Sequence, residues 1–137
     1  MKHKRASLLG FKKHNGVINI FKKTSITVAC SRWEEPFGRT SLEASANGCA
    51  VVITNRGGLP ETVTDAVIIS KLNVKELTKI IQNLIDNPAK RKRLQKLSIK
   101  NFYLTHEFVA SLMDNYRSEK ISYLKRINLR KIKKLQL

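Results

Sequence analysis

An α/β fold built on a parallel sheet is what this sequence predicts, and three observations carry the prediction. Short apolar runs recur between segments of helical periodicity, the pattern of strands buried on both faces of a parallel sheet. The clearest run, Ala50 to Thr54, is apolar until its last residue. A chain of 137 residues with 42% hydrophobic content is also long enough for one domain with a real core.

The elements follow in order. Ser7 to Gly10 reads as the end of a strand, Asn15 to Lys23 as a helix, and Ser25 to Cys30 as a second strand. Arg39 to Asn47 reads as a helix that Gly48 ends as its C′ residue. This helix is expected to pack through Leu42, Ser45, Ala46 and Cys49, with Glu43 on another face. Ala50 to Thr54 and Ala66 to Ile69 are the next strands, so four strands with intervening helices make an α/β sandwich. Asn73 is a candidate cap for a helix with an apolar stripe through Val74, Leu77, Ile80, Ile81, Leu84 and Ile85. Pro88 opens the next helix, to about Leu104, and a third begins near His106 with Phe108, Leu112 and Tyr116 on one side. Residues 1–116 are thus read as one domain. Residues 117–137 are read as a basic amphipathic tail or helix extension, in which Ile121, Leu124, Ile127, Ile132 and Leu135 lie among Lys and Arg.

The formal charge of +17 invites a nucleic-acid or anionic-membrane reading, but its distribution argues against charge as the main function. Residues 1–30 carry seven basic and no acidic side chains, residues 31–70 three and five, and residues 71–137 seventeen and five. The distinctive residues occupy the one slightly acidic block, and no aromatic interleaving supports stacking on nucleic acid. Nucleic acid is therefore not the expected partner; an anionic membrane surface met through the basic flanks is kept as one. Cys30 and Cys49 lack metal-ligand spacing and read as small buried residues. No stretch approaches the length of a membrane span or a signal peptide, so a cytoplasmic protein is expected, peripheral at most to the inner face of the membrane.

The most informative stretch runs from Glu34 to Ala44. It sets Glu35 and Glu43 eight positions apart around a tight loop and a helix start, with free backbone N–H groups between them suited to phosphate oxygens. A carboxylate has two acceptor oxygens and can take paired hydrogen bonds from neighbouring hydroxyls. Taken alone, Glu35 would read as a helix-dipole residue and Glu43 as a solvated one.

They do not stand alone. Glu35-Pro36-Phe37-Gly38 is followed by Leu42-Glu43-Ala44, then Asn47-Gly48-Cys49-Ala50-Val51-Val52, then Gly57-Gly58-Leu59-Pro60-Glu61. In these motifs the chain resembles the donor-binding half of retaining GT-B glycosyltransferases, specifically over residues 31–65 and loosely from about residue 8 to 116. The resemblance implies an incomplete Rossmann-like domain followed by C-terminal helices. It places Glu35 at the catalytic position, against hydroxyls of the donor sugar, and Glu43 on the ribose hydroxyls. Phe37, Gly38, Arg39 and Thr40 then shape the loop whose amides face the diphosphate. Gly57 and Gly58 form the loop that runs past the donor.

The implied reaction moves a sugar from a nucleotide donor, such as a UDP- or GDP-sugar, to a hydroxyl of a glycan, lipid or lipopolysaccharide-type acceptor in the cell envelope. Amides and the positive helix end would meet the charge on the leaving group, so no metal and no further cofactor is expected. The first domain of such an enzyme, and the Arg and Lys that open its second, have no counterpart here; Lys12 and Lys13 do not match their positions. The expectation is therefore an N-terminally truncated chain, weak or inactive alone, with a separate acceptor-domain chain as a candidate partner. The rivals are a basic binding module and a non-functional remnant.

Overall fold

The computed structural model describes residues 5–135, with side chains described to residue 126. The elements are α1 (His14–Phe21), β1 (Ile26–Ala29), α2 (Arg39–Ala46), β2 (Ala50–Thr54), α3 (Leu59–Thr62), β3 (Val67–Ile69), α4 (Val74–Asp86), α5 (Pro88–Lys100) and α6 (His106–Leu135). The strands form one parallel sheet in the order β1-β2-β3. Ile26 stands opposite Ala50, and Val52 opposite Val67.

All five residues of β2 are buried, because the central strand of a parallel sheet is covered on both faces. Its side chains alternate between two cores, as the strand period requires. Val51 and Ile53 join Phe21, Ala44, Cys49, Leu59 and Val63 on the side of α1, α2 and α3. Val52 joins Ile69 and Leu84 on the other, packed by Leu77 and Ile80 of α4 and Leu94 of α5. The result is a three-layer sandwich. Gly48 follows α2 at a φ of 78°, the left-handed conformation expected of a C′ glycine. Asn73 caps α4 by accepting from the Glu76 amide at 2.8 Å, and Asn87 caps α5 in the same way, with Pro88 in its first turn.

Three expectations are corrected. Ser7 to Gly10 is not a strand: Leu8 and Phe11 are 97% and 92% exposed, and the described sheet has three strands rather than four. An apolar run becomes a strand only where a neighbour completes its ladder, and no described strand lies beside this one. The inward face of α2 is Ser41, Ala44 and Ser45, with Leu42 only partly buried and Ala46 exposed. Size and hydrogen bonding decided that phase, since the Ser41 hydroxyl donates to the Gly38 carbonyl at 2.7 Å and lies 3.0 Å from the Thr62 hydroxyl. In the stripe on α4 only Leu84 is buried and Leu77, Ile80 and Ile81 are half-buried; Val74 and Ile85 at its ends are exposed.

The chain divides into two compact units, Met1–Phe102 and Tyr103–Leu137. The second unit is dominated by α6, capped where the Phe108 amide donates to Thr105 Oγ1 at 3.1 Å. The Tyr103 and Phe108 rings meet edge to face with centroids 5.3 Å apart. Phe108, Leu112 and Tyr116 recur every four residues along α6. The division placed after residue 116 falls inside this helix. Ile121 and Leu124 lie on it, while the side chains of Ile127, Ile132 and Leu135 are outside the described residues.

Candidate functional site

The site begins where β1 ends, at the carboxyl edge of the sheet, where open α/β folds leave a crevice. Thr54, the last residue of β2, holds the departing chain: its hydroxyl accepts from the Ser31 amide at 2.9 Å and donates to the Ser31 carbonyl at 3.0 Å. The Ser31 hydroxyl then donates to the Trp33 carbonyl at 3.0 Å and accepts from the Trp33 amide at 3.3 Å. This local turn carries the chain into Glu34 and Glu35.

The two adjacent glutamates are held by different partners. The Glu34 carboxylate accepts from the Gly57 amide and from Arg56 Nη1, the latter at 3.1 Å. Those contacts, the Gly57 amide first, hold its carboxyl below the usual carboxylate range. Glu35 Oε2 instead accepts from the Trp33 indole Nε1–H at 3.1 Å, while its backbone carbonyl accepts from the Gly58 amide at 2.7 Å.

The two loops approach so closely that side chains are excluded between them. A Cβ on Gly57 would meet the backbone of Glu35, and one on Gly58 would lie 2.5 Å from the Pro36 carbonyl oxygen. Gly57 also has a φ of 51°.

Gly38 precedes α2 at a φ of 79°, and a Cβ there would stand 2.5 Å from Leu59 Cδ2. Lacking a side chain, it gives the first turn of α2 no side-chain cap. That end of the helix offers amides and a positive dipole. Between it and the end of β1 lies a cleft of about 780 Å³ lined by Glu35, Phe37, Gly38, Arg39 and Thr40, together with Trp33 and Leu59.

Five of the eight sequence-predicted site residues therefore line one cavity. Glu43, Gly57 and Gly58 do not. The Glu43 side chain, 22% exposed, sits on α2 with Oε1 3.4 Å from Arg39 Nη2 and 3.8 Å from His14 Nδ1. Gly57 and Gly58 lie behind the Glu35 loop. Sequence reasoning passed over Glu34 and Arg56. The signal for Glu34 was its place beside Glu35, which reads as one acidic step until the structure separates the two partners.

Cys30 also lines the cleft, but burial pushes its thiol up, away from the thiolate a nucleophile needs. Among the described residues no group of three or more His, Cys, Asp or Glu could hold a metal ion. Nor is any described helix long and apolar enough to cross a membrane.

Residues 2–101 match the family described as Glycosyl transferases group 1. Spore coat protein SA of Bacillus subtilis is 29% identical over 102 residues, 72% of this chain and 27% of that protein. An uncharacterized glycosyltransferase of Methanocaldococcus jannaschii is 37% identical over 90 residues, 64% of this chain and 25% of its own length. The chain thus spans about a quarter of these two relatives. Among solved structures, the sucrose-phosphate synthase of Thermosynechococcus elongatus superposes with a TM-score of 0.72 at 22% identity, covering 86% of this chain and 31% of that one. Anabaena HepE, in complex with UDP and glucose, gives 0.64 at 23% identity, over 88% and 32%.

Proposed function

The chain belongs to the group 1 glycosyl transferases and has their Rossmann-like GT-B fold, and from that premise we propose that its cleft binds the nucleotide-sugar donor. The observation that supports this most is the N-terminus of α2, without a side-chain cap, opening on the cleft that Glu35 lines. The diphosphate lies at the amides of Gly38, Arg39 and Thr40, where the helix dipole and N–H groups favour an anion. The donor sugar reaches Glu35 at the catalytic position beside Phe37, and the nucleoside runs along α2 so that its ribose hydroxyls meet Glu43. The Arg39 guanidinium meets Glu43 at Oε1, so the ribose is assigned to Oε2. Gly57 and Gly58 serve the donor indirectly, by letting the Glu35 loop seat where it does.

In this reading the leaving diphosphate is stabilised by preorganised amides rather than by a metal. The sugar passes to a hydroxyl of a glycan or lipid acceptor of the cell envelope. The protein works in the cytoplasm, and its basic flanks draw it to anionic lipid. Sedimentation with vesicles rich in anionic lipid tests the last point, and removal of residues 117–137 tells whether the tail is responsible.

The donor assignment is tested by titrating the chain with nucleoside diphosphates and following amide shifts by NMR. UDP or GDP is expected to perturb the α2 amides. Glu43→Ala is expected to weaken binding by about tenfold or more, the worth of hydrogen bonds to a charged group. Equal affinity in the variant would refute the ribose role.

A further inference from the structure

The chain's single tryptophan stands where core packing does not account for it. Trp33 is 70% exposed, and it lines the cleft together with Phe37 and Val28, themselves 46% and 40% exposed. One exposed aromatic is ordinary on a protein surface. Three apolar side chains left open around one concavity are what a ligand-covered wall looks like without its ligand.

The polar handle of Trp33 is already engaged, because its Nε1–H donates to Glu35 Oε2 at 3.1 Å. Its backbone is fixed on the other side by the Ser31 hydroxyl. What the ring offers a ligand is therefore its faces, at an orientation set by two anchors. The same indole bond occupies one oxygen of Glu35 and turns the other, Oε1, into the acceptor a ligand can use.

We propose that Trp33 and Glu35 form one sugar-recognition unit, in which the indole face covers the C–H face of the donor pyranose while Glu35 Oε1 accepts hydrogen bonds from hydroxyls at its rim. This rests on the donor-binding reading above. A pyranose is amphipathic, with C–H groups on its faces and O–H groups around its edge, and an aromatic ring bonded to a carboxylate two residues away meets both. Trp33 thereby becomes the residue that selects for a sugar on the nucleotide, as distinct from the diphosphate that the amides of α2 would hold. A flat nucleobase is the competing occupant of the indole face. The sugar is favoured because the ring is tied to the carboxylate assigned to sugar hydroxyls.

The test uses the full chain and matched ligand pairs: UDP-glucose with UDP, and GDP-mannose with GDP. Tryptophan emission, excited where tyrosine is silent, reports Trp33 alone, and saturation-transfer NMR on the ligands reports binding independently. The expected result is an emission shift with a nucleotide-sugar and none with its matched diphosphate, although both bind. Trp33→Ala should weaken the nucleotide-sugar about fivefold and leave the diphosphate within about twofold, a loss typical of one aromatic contact. Trp33→Phe, which keeps a ring but not the indole bond, should lie between.

Equal emission shifts with UDP and UDP-glucose would place the base or the phosphates on the ring and overturn the proposal. So would equal weakening of both ligands in Trp33→Ala. If NMR detects binding of no ligand in either pair, the donor reading fails, and this inference with it.

Discussion

The loop that leaves β1 and the loop that leaves β2 touch through Glu34, Glu35 and Pro36, yet only the first lines the cleft. The first carries Trp33, Glu35 and Phe37 with much of their surface open. The second presents Arg56, Gly57 and Gly58 to the back of the first, through one ion pair, two amides and two glycines without room for a Cβ. Two motifs that look alike as loop glycines beside acidic residues thus divide the labour: one lines the cleft, and the other sets where the first can stand. A buttress should fail through stability and a contact should fail through affinity, and substitutions can separate the two.

The largest effect is expected at the buttress. Gly57→Ala would put a methyl into the Glu35 backbone at a positive φ, and should cost roughly 2–4 kcal/mol in chemical denaturation. Gly10→Ala is the control, since Gly10 also has a positive φ, of 63°, but nothing within 4 Å of an added Cβ; it should cost about 1 kcal/mol. Equal losses at the two positions would mean that loop contact matters less than backbone conformation.

Next in size is the contact residue. Glu35→Ala should leave the denaturation midpoint nearly unchanged and weaken a nucleotide-sugar by about tenfold, as measured by calorimetric titration. A large drop in stability would instead class Glu35 with the buttress.

Glu34 should behave as a seam between the loops, with a smaller, pH-dependent effect. Its carboxyl is held below the ordinary range in the folded chain, so the unfolded chain binds the proton more readily and this contribution rises with pH. It is complete above the unfolded value of about 4 and is lost as pH falls through the depressed folded value. Glu34→Gln should therefore lower stability at neutral pH while flattening the acid limb of a stability-against-pH curve. An unaltered acid limb would show that the seam does not depend on the charge.

The smallest effect is expected at Arg39, whose side chain is 78% exposed and pairs with Glu43 at 3.4 Å. Arg39→Ala should change stability by about 0.5 kcal/mol or less. Any larger change would have to appear in nucleotide affinity, where Arg39 could act on the ligand rather than on Glu43.

Much of the framework was legible because local chemistry decided it. β2 is four apolar residues closed by Thr54, and the start of α4 follows from Asn73 accepting from the Glu76 amide. The order of motifs led to the right family. The misreadings share a physical cause, which is that each depended on a partner distant in sequence. Leu8 and Leu9 look like strand residues, but pairing is a property of two segments. Leu42 and Ala46 look like the inner face of α2, but Ser41 fits closer to Thr62 and has its hydroxyl satisfied there. The division between Glu34 and Glu35 was invisible for the same reason, because only the fold brings Arg56 and Gly57 to one and leaves Trp33 to the other.

The paired hydrogen bonds between Thr54 and Ser31 have a consequence for motion. β2 is the buried centre of the sheet, and its amides should be among the last in the chain to exchange with solvent, opening only when the first unit unfolds as a whole. By fastening Ser31 to the end of that strand, Thr54 ties the root of the cleft to the slowest-opening part of the molecule. Fraying of the outer helices can then come and go on faster timescales while the base of the Trp33–Glu35 loop holds its place.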